Sequence, residues 1–131
     1  MSRCYVRTEA EELVVEAEAV RIGSDLLVYL WGGDRPHIGA VAAAQPRPSL
    51  ADGSRTSATA SVLTYLGHKE DEVVKYVSER LASELDTNVV ATAGIHWDEL
   101  PGSAIRTIIE RCREVCEKLI DQLLPCEEEA P

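Results

Sequence analysis

The spacing of apolar and polar residues changes period several times along the chain, and each change predicts an element. Residues 12–22 read Glu-Leu-Val-Val-Glu-Ala-Glu-Ala-Val-Arg-Ile, with Glu16 and Glu18 alternating with Ala17 and Ala19. Period two predicts a half-buried strand. Gly23-Ser24-Asp25 marks a hairpin turn, and residues 26–31, apolar on both faces, follow as a second strand. The small residues of 38–44 lie between Pro36 and Pro46, which leaves little room for a helix. A third strand is predicted, with side chains small enough for close approach by another layer or by a ligand. Residues 45–55 contain Pro46, Pro48 and Gly53 and read as a loop. Residues 56–63 alternate hydroxyl and small apolar groups, so Ser57, Thr59 and Ser61 share one face of a fourth strand.

Helical spacing then takes over. Val73, Val74, Val77, Leu81 and Leu85 form one stripe in a helix predicted over 69–85, and Glu70, Asp71 and Glu72 suit its positive end. Residues 89–93 form a short buried strand that stops at Gly94. Pro101 fits the first turn of the last helix. That helix is expected to bury Ile105, Ile108, Ile109, Cys112, Val115, Cys116, Leu119, Ile120 and Leu123, with Arg106, Glu110, Arg113, Glu114 and Glu117 opposite. Pro125 is expected to end it, leaving 126–131 as a short acidic tail. The order ββββαβα predicts an α+β two-layer sandwich: a mostly antiparallel five-stranded sheet with two helices on one face. The other face then needs a cover, and a second copy of the chain, as a homodimer with cyclic symmetry, would supply one.

With 131 residues the chain is one domain, with its core over about 12–124, able to bury a core without disulfides or metal. A net charge of -10 excludes nucleic acid and anionic membrane as partners. The apolar runs are too short to span a bilayer, and Met1-Ser2-Arg3-Cys4 is no signal peptide, so a cytoplasmic protein is expected. Cys4, Cys112, Cys116 and Cys126 form no CxxC pair, which argues against structural zinc and for a reduced compartment.

The candidate chemistry lies in three loops. His37 sits in Gly32-Gly33-Asp34-Arg35-Pro36-His37-Ile38-Gly39, His68 in Leu66-Gly67-His68-Lys69-Glu70-Asp71-Glu72, and His96 in Ala93-Gly94-Ile95-His96-Trp97-Asp98. Each pairs histidine with glycine and charge between regular elements, where side chains and backbone donors are free for a ligand. Three readings stay open. The histidines can act as acid–base groups on a small anionic substrate, with or without a metal, although their wide spacing matches no metal motif and no GxSxG nucleophile segment is present. They can line a binding site for an anion held by Arg35, Arg47, Arg55 or Lys69. They can also be ordinary turns in an assembly chaperone that takes no small ligand.

The segments Gly33-Asp34-Arg35-Pro36-His37-Ile38-Gly39-Ala40, Ser57-Ala58-Thr59-Ala60-Ser61, Gly67-His68-Lys69-Glu70-Asp71 and Ala93-Gly94-Ile95-His96, in that order, resemble the LpdD-like family of small prenylated-flavin chaperones. These are D-type accessory proteins of gallate decarboxylase systems. The resemblance implies a proteasome-assembly-chaperone-like fold and a cofactor, prenylated FMN, to be matured or delivered to a prenylated-flavin-dependent decarboxylase. It also implies a site drawn from Gly33, Asp34, Arg35, Pro36, His37, Gly39, Ser57, Thr59, Ser61, His68, Lys69, Glu70, Gly94 and His96. On that reading Arg35, Lys69 and the helix N-terminus take the phosphate, and the hydroxyl row bonds the ribityl or pyrimidine oxygens. Small residues such as Ala40, Ala42 and Ala58 admit the flat ring, and His37, His68 and His96 tune or protonate the flavin.

Overall fold

The computed structural model describes residues 2–65 and 70–128, with side chains described as far as Leu124. Its elements are β1 (Arg3–Arg7), β2 (Val15–Ile22), β3 (Asp25–Gly33), β4 (Ala40–Pro48), β5 (Thr56–Thr64), α1 (Asp71–Leu85), β6 (Val89–His96) and α2 (Ala104–Glu128). The strands form one six-stranded sheet in the order β1-β2-β3-β6-β4-β5. Only β3 and β6 pair in parallel; every other pairing is antiparallel. The architecture is the expected α+β two-layer sandwich, with six strands in place of five.

The added strand is β1. Cys4 and Val6 are buried and Arg3, Tyr5 and Arg7 exposed, the same period-two alternation that marks β2, compressed into five residues. Tyr5 pairs with Glu18 and Arg7 with Glu16 in register. Other boundaries also move. Strand β4 runs through Pro46 to Pro48, so the loop begins at Ser49, and β6 extends through Gly94 to His96. Helix α2 continues past Pro125 to Glu128. Between β2 and β3, Gly23 at φ +62° supplies the left-handed position that a two-residue hairpin needs.

Both helices pack on one sheet face, α1 over β4, β5 and β6, and α2 over β1 and β2. Ala40, Ala42 and Ala44 of β4 are buried on the face carrying α1, so the layer that their small side chains admit is a helix. Val74, Val77 and Leu81 of α1 and Val115 and Leu119 of α2 are fully enclosed against Val15, Val28 and Val89 of the sheet. Burying such a side chain contributes about 1.5–3 kcal/mol each, which makes this layer the main source of stability. The other sheet face has no covering element among the described residues. It carries an aromatic row in which Trp31 stacks on Tyr29 and meets Tyr5 at a tilt, with ring centroids 5.8 and 6.2 Å apart. Val90 is 40% exposed near its middle.

Candidate functional site

Strands β3 and β6 end side by side, with Gly33 opposite His96. The chain then turns back so that 34–39 lies across the end of β6. Arg35 N–H donates to the His96 carbonyl at 3.2 Å, His37 N–H to Gly94 at 3.4 Å and Gly39 N–H to Ala93 at 2.9 Å. Glycine makes this crossing sterically possible. A Cβ on Gly94 would stand 1.5 Å from the His37 carbonyl oxygen, and one on Gly33 (φ +86°) 2.1 Å from the His96 carbonyl oxygen. At Gly39 a Cβ would fall 2.3 Å from Oε2 of Glu70. The glycines singled out in two of the histidine motifs thus serve one backbone crossing.

That crossing positions His37. Its Nδ1 lies 2.9 Å from the Arg35 carbonyl oxygen, and its Nε2 stands 3.0 Å from Oε1 of Glu70. Glu70, at the N-cap of α1, makes no side-chain cap bond. Its carboxylate turns instead to β6, where Oε1 accepts the Ile95 N–H at 3.3 Å. Oε2 is buried without a hydrogen-bond partner among the described residues. Histidine and carboxylate are both largely enclosed, at 23% and 12% side-chain exposure, so the pair sits in a low-dielectric setting where its interaction is strong.

A second, more exposed cluster forms at the rim. Arg35 Nε is 2.8 Å from Oδ1 of Asp98, His96 Nε2 is 3.4 Å from the same oxygen, and Asp98 N–H donates to Oδ2 of Asp34 at 3.1 Å. Asp98, the last residue of the His96 segment and not among the expected site residues, therefore ties together three of them. It also occupies Arg35, which reduces that guanidinium's capacity to hold an external anion.

His37, Glu70 and His96 open onto a cleft of about 670 Å³ between the N-terminal ends of α1 and α2. Val73 and Tyr76 of α1 line it, with Ile95 and Trp97 at the end of β6 and Ile108, Cys112 and Arg113 on α2. A mostly apolar concavity of this size with a few converging polar groups has the character of a small-molecule site. Ile105 and Ile109, expected in the core, are 57% and 39% exposed and line this cleft. The apolar stripe of α2 runs past the sheet that it covers, and its surplus walls the cleft. That surplus was the sequence signal for these wall residues. Burial pushes the Cys112 and Cys116 thiols up to about 12, which keeps both protonated and unreactive at neutral pH.

Other predicted site residues lie elsewhere. Ser57, Thr59 and Ser61 alternate with the inward-facing Ala58 and Ala60, so the hydroxyl row is on the sheet face away from the helices and the cleft. There Thr59 Oγ1 accepts a bond from Arg47 Nε at 2.7 Å. Ala58, with Ala40 and Ala42, is buried in the core. Pro36 is exposed in the crossing loop. His68 and Lys69 fall outside the described residues. Among the described residues no group of three His, Cys, Asp or Glu side chains is arranged to hold a metal ion, and no helix is long and apolar enough to cross a membrane.

A chain in the crystal structure of a chaperone complex for yeast 20S proteasome assembly matches this one with a TM-score of 0.54, over 95% of this chain and 98% of that one. At 11% identity the likeness is one of fold alone. Residues 9–124 match the prenylated flavin chaperone LpdD-like domain, and the chain belongs to that family. A search of curated proteins returns no match.

Proposed function

We propose that the cleft between α1 and α2 binds prenylated FMN, and that the protein acts as a homodimer to mature the cofactor or deliver it to a prenylated-flavin-dependent, gallate-type decarboxylase. The observation that carries this reading is the combination of an apolar cleft wall with one enclosed polar pair, His37 and Glu70, at its end. A fused aromatic ring needs apolar surface such as Trp97, Ile95 and Ile108, and its heteroatom edge needs a few fixed polar partners. His37 and Glu70, which both line the cleft, are such partners. Prenylated FMN supplies the reactive ring system used by reversible aromatic-acid decarboxylases.

The chain's own residues would bind, orient and shield that ring system. His37 and Glu70 would hold a proton at the ring edge, and the walls from Ile95 to Ile109 would exclude water. The homodimer reading is supported by the sheet face that carries Tyr5, Trp31, Tyr29 and Val90 without a covering element. The test is a transfer assay. Protein loaded anaerobically with prenylated FMN and separated from free cofactor is mixed with apo-decarboxylase, and decarboxylation is followed. Activation faster than with free cofactor at equal concentration is expected; no difference counts against delivery.

A further inference from the structure

The cleft has an uneven charge distribution. Glu70, Asp71 and Glu72 crowd the α1 end, whereas Arg113 is the one lysine or arginine among the described residues that line it. Arg35, the cation expected to meet a phosphate, is held by Asp98 at 2.8 Å and does not line the cleft.

Arg113 lies in a different environment. Its guanidinium carbon is 4.8 Å from the centroid of the Tyr76 ring. Stacking occupies the face of a guanidinium and leaves its N–H edge free to donate. Of the carboxylates along α2, the two that follow Arg113 are engaged elsewhere and Glu110 makes no ion pair with it. Glu117 accepts Arg80 Nη2 at 2.8 Å and Nε at 3.0 Å, and Glu114 accepts the Glu9 N–H at 2.8 Å. Arg113 makes no ion pair among the described residues. A cation placed in a cleft, braced on an aromatic ring and lacking a carboxylate partner, suits an oxyanion from outside the chain.

We propose that Arg113 binds the phosphate of a phosphorylated planar aromatic ligand, a flavin mononucleotide, and so makes the cleft select the phosphorylated form over the free flavin. This rests on the cleft being the flavin site. The acidic α1 end repels the phosphate and Arg113 attracts it, so the ligand is oriented with its phosphate toward α2 and Tyr76 and its ring toward Ile95, Trp97 and His37. On a chain of net charge -10 Arg113, the one lysine or arginine lining the cleft among the described residues, carries most of this discrimination.

The test is a comparison of FMN and riboflavin binding by fluorescence titration to the full chain, to Arg113→Gln, to Arg113→Lys and to Ile109→Trp, which fills the cleft. The unaltered protein is expected to prefer FMN by roughly ten- to a hundredfold, the range of a charge-assisted hydrogen-bonded pair. Arg113→Gln should bring that ratio near one while riboflavin affinity stays within about threefold, and Arg113→Lys should restore part of it. An undiminished FMN preference in Arg113→Gln, with binding of both ligands lost in Ile109→Trp, overturns the role of Arg113 alone. Binding of both ligands unchanged in Ile109→Trp, or no flavin binding by the unaltered protein, overturns the cleft reading with it.

Discussion

His37 Nε2 faces Glu70 Oε1 across 3.0 Å while the same ring's Nδ1 lies 2.9 Å from the Arg35 carbonyl oxygen. A carbonyl can only accept, so Nδ1 carries a hydrogen, and Nε2 then meets a carboxylate oxygen. Imidazole and carboxylate thus stand at ion-pair distance. The pair joins the crossing loop to α1, and through the Ile95 N–H it also joins α1 to β6. Its first consequence is energetic. Glu70→Gln keeps an acceptor for Ile95 but loses the charge, and should cost about 1–3 kcal/mol in urea unfolding. His37→Ala should cost a similar amount, and the double variant less than the sum. Strict additivity would show that the two residues do not interact.

The crossing of 34–39 over β6 depends on Gly94. With a Cβ only 1.5 Å from the His37 carbonyl oxygen, Gly94→Ala must displace the loop or the strand. It should lower stability by about 2 kcal/mol or more. Gly53 has nothing within 4 Å of the same built position, so Gly53→Ala should stay within about 0.5 kcal/mol. Thermal unfolding of the two variants compares them directly.

Cys112 lines the cleft yet is buried, with its thiol pushed up to about 12. Desolvation penalises the thiolate, so the folded protein binds this proton more tightly than the unfolded chain does. Near pH 8 the native thiol should resist iodoacetamide, with mass spectrometry showing labelling of Cys112 and Cys116 only at the rate of unfolding. As pH rises above the ordinary thiol range the unfolded chain ionises first, so stability should fall from about pH 9 upward. Rapid labelling of Cys112 at pH 8 in the folded state would contradict the burial.

The proposed dimer makes the uncovered sheet face the place to look for association. Val90 sits there in register with Leu27 on one side and Ala43 on the other. Light scattering with size-exclusion chromatography should give a dimer for the unaltered chain and a monomer for Val90→Glu, because a buried unpaired charge at an interface is costly. A dimer unaffected by Val90→Glu would move the interface elsewhere.

Local periodicity carried much of this fold. The alternation at 16–19 gave β2 its inward face, and the stripe from Cys112 to Leu123 gave α2 its buried side. The five residues of β1 alternate just as cleanly but are too few to stand out from a polar start. The site was legible only in part. Gly33, Gly39, Gly94, His37 and Glu70 do converge, yet the reason is a backbone crossing whose partners lie up to about sixty residues apart in sequence, a distance at which no local pattern speaks. Period two fixes that Ser57, Thr59 and Ser61 share a face of β5 and leaves open which face it is, and that face turns away from the cleft. Asp98 and Arg113 act through tertiary contacts, with Arg35 and with Tyr76, that sequence spacing does not encode.

The central claim is that the cleft between α1 and α2 is the flavin site, and anaerobic titration with prenylated FMN followed by its visible spectrum tests it most directly. The unaltered protein should bind with a saturable spectral shift and retain the cofactor through gel filtration, while Ile109→Trp, folded by circular dichroism, should do neither. Equal binding and equal spectral shift in both proteins would contradict it.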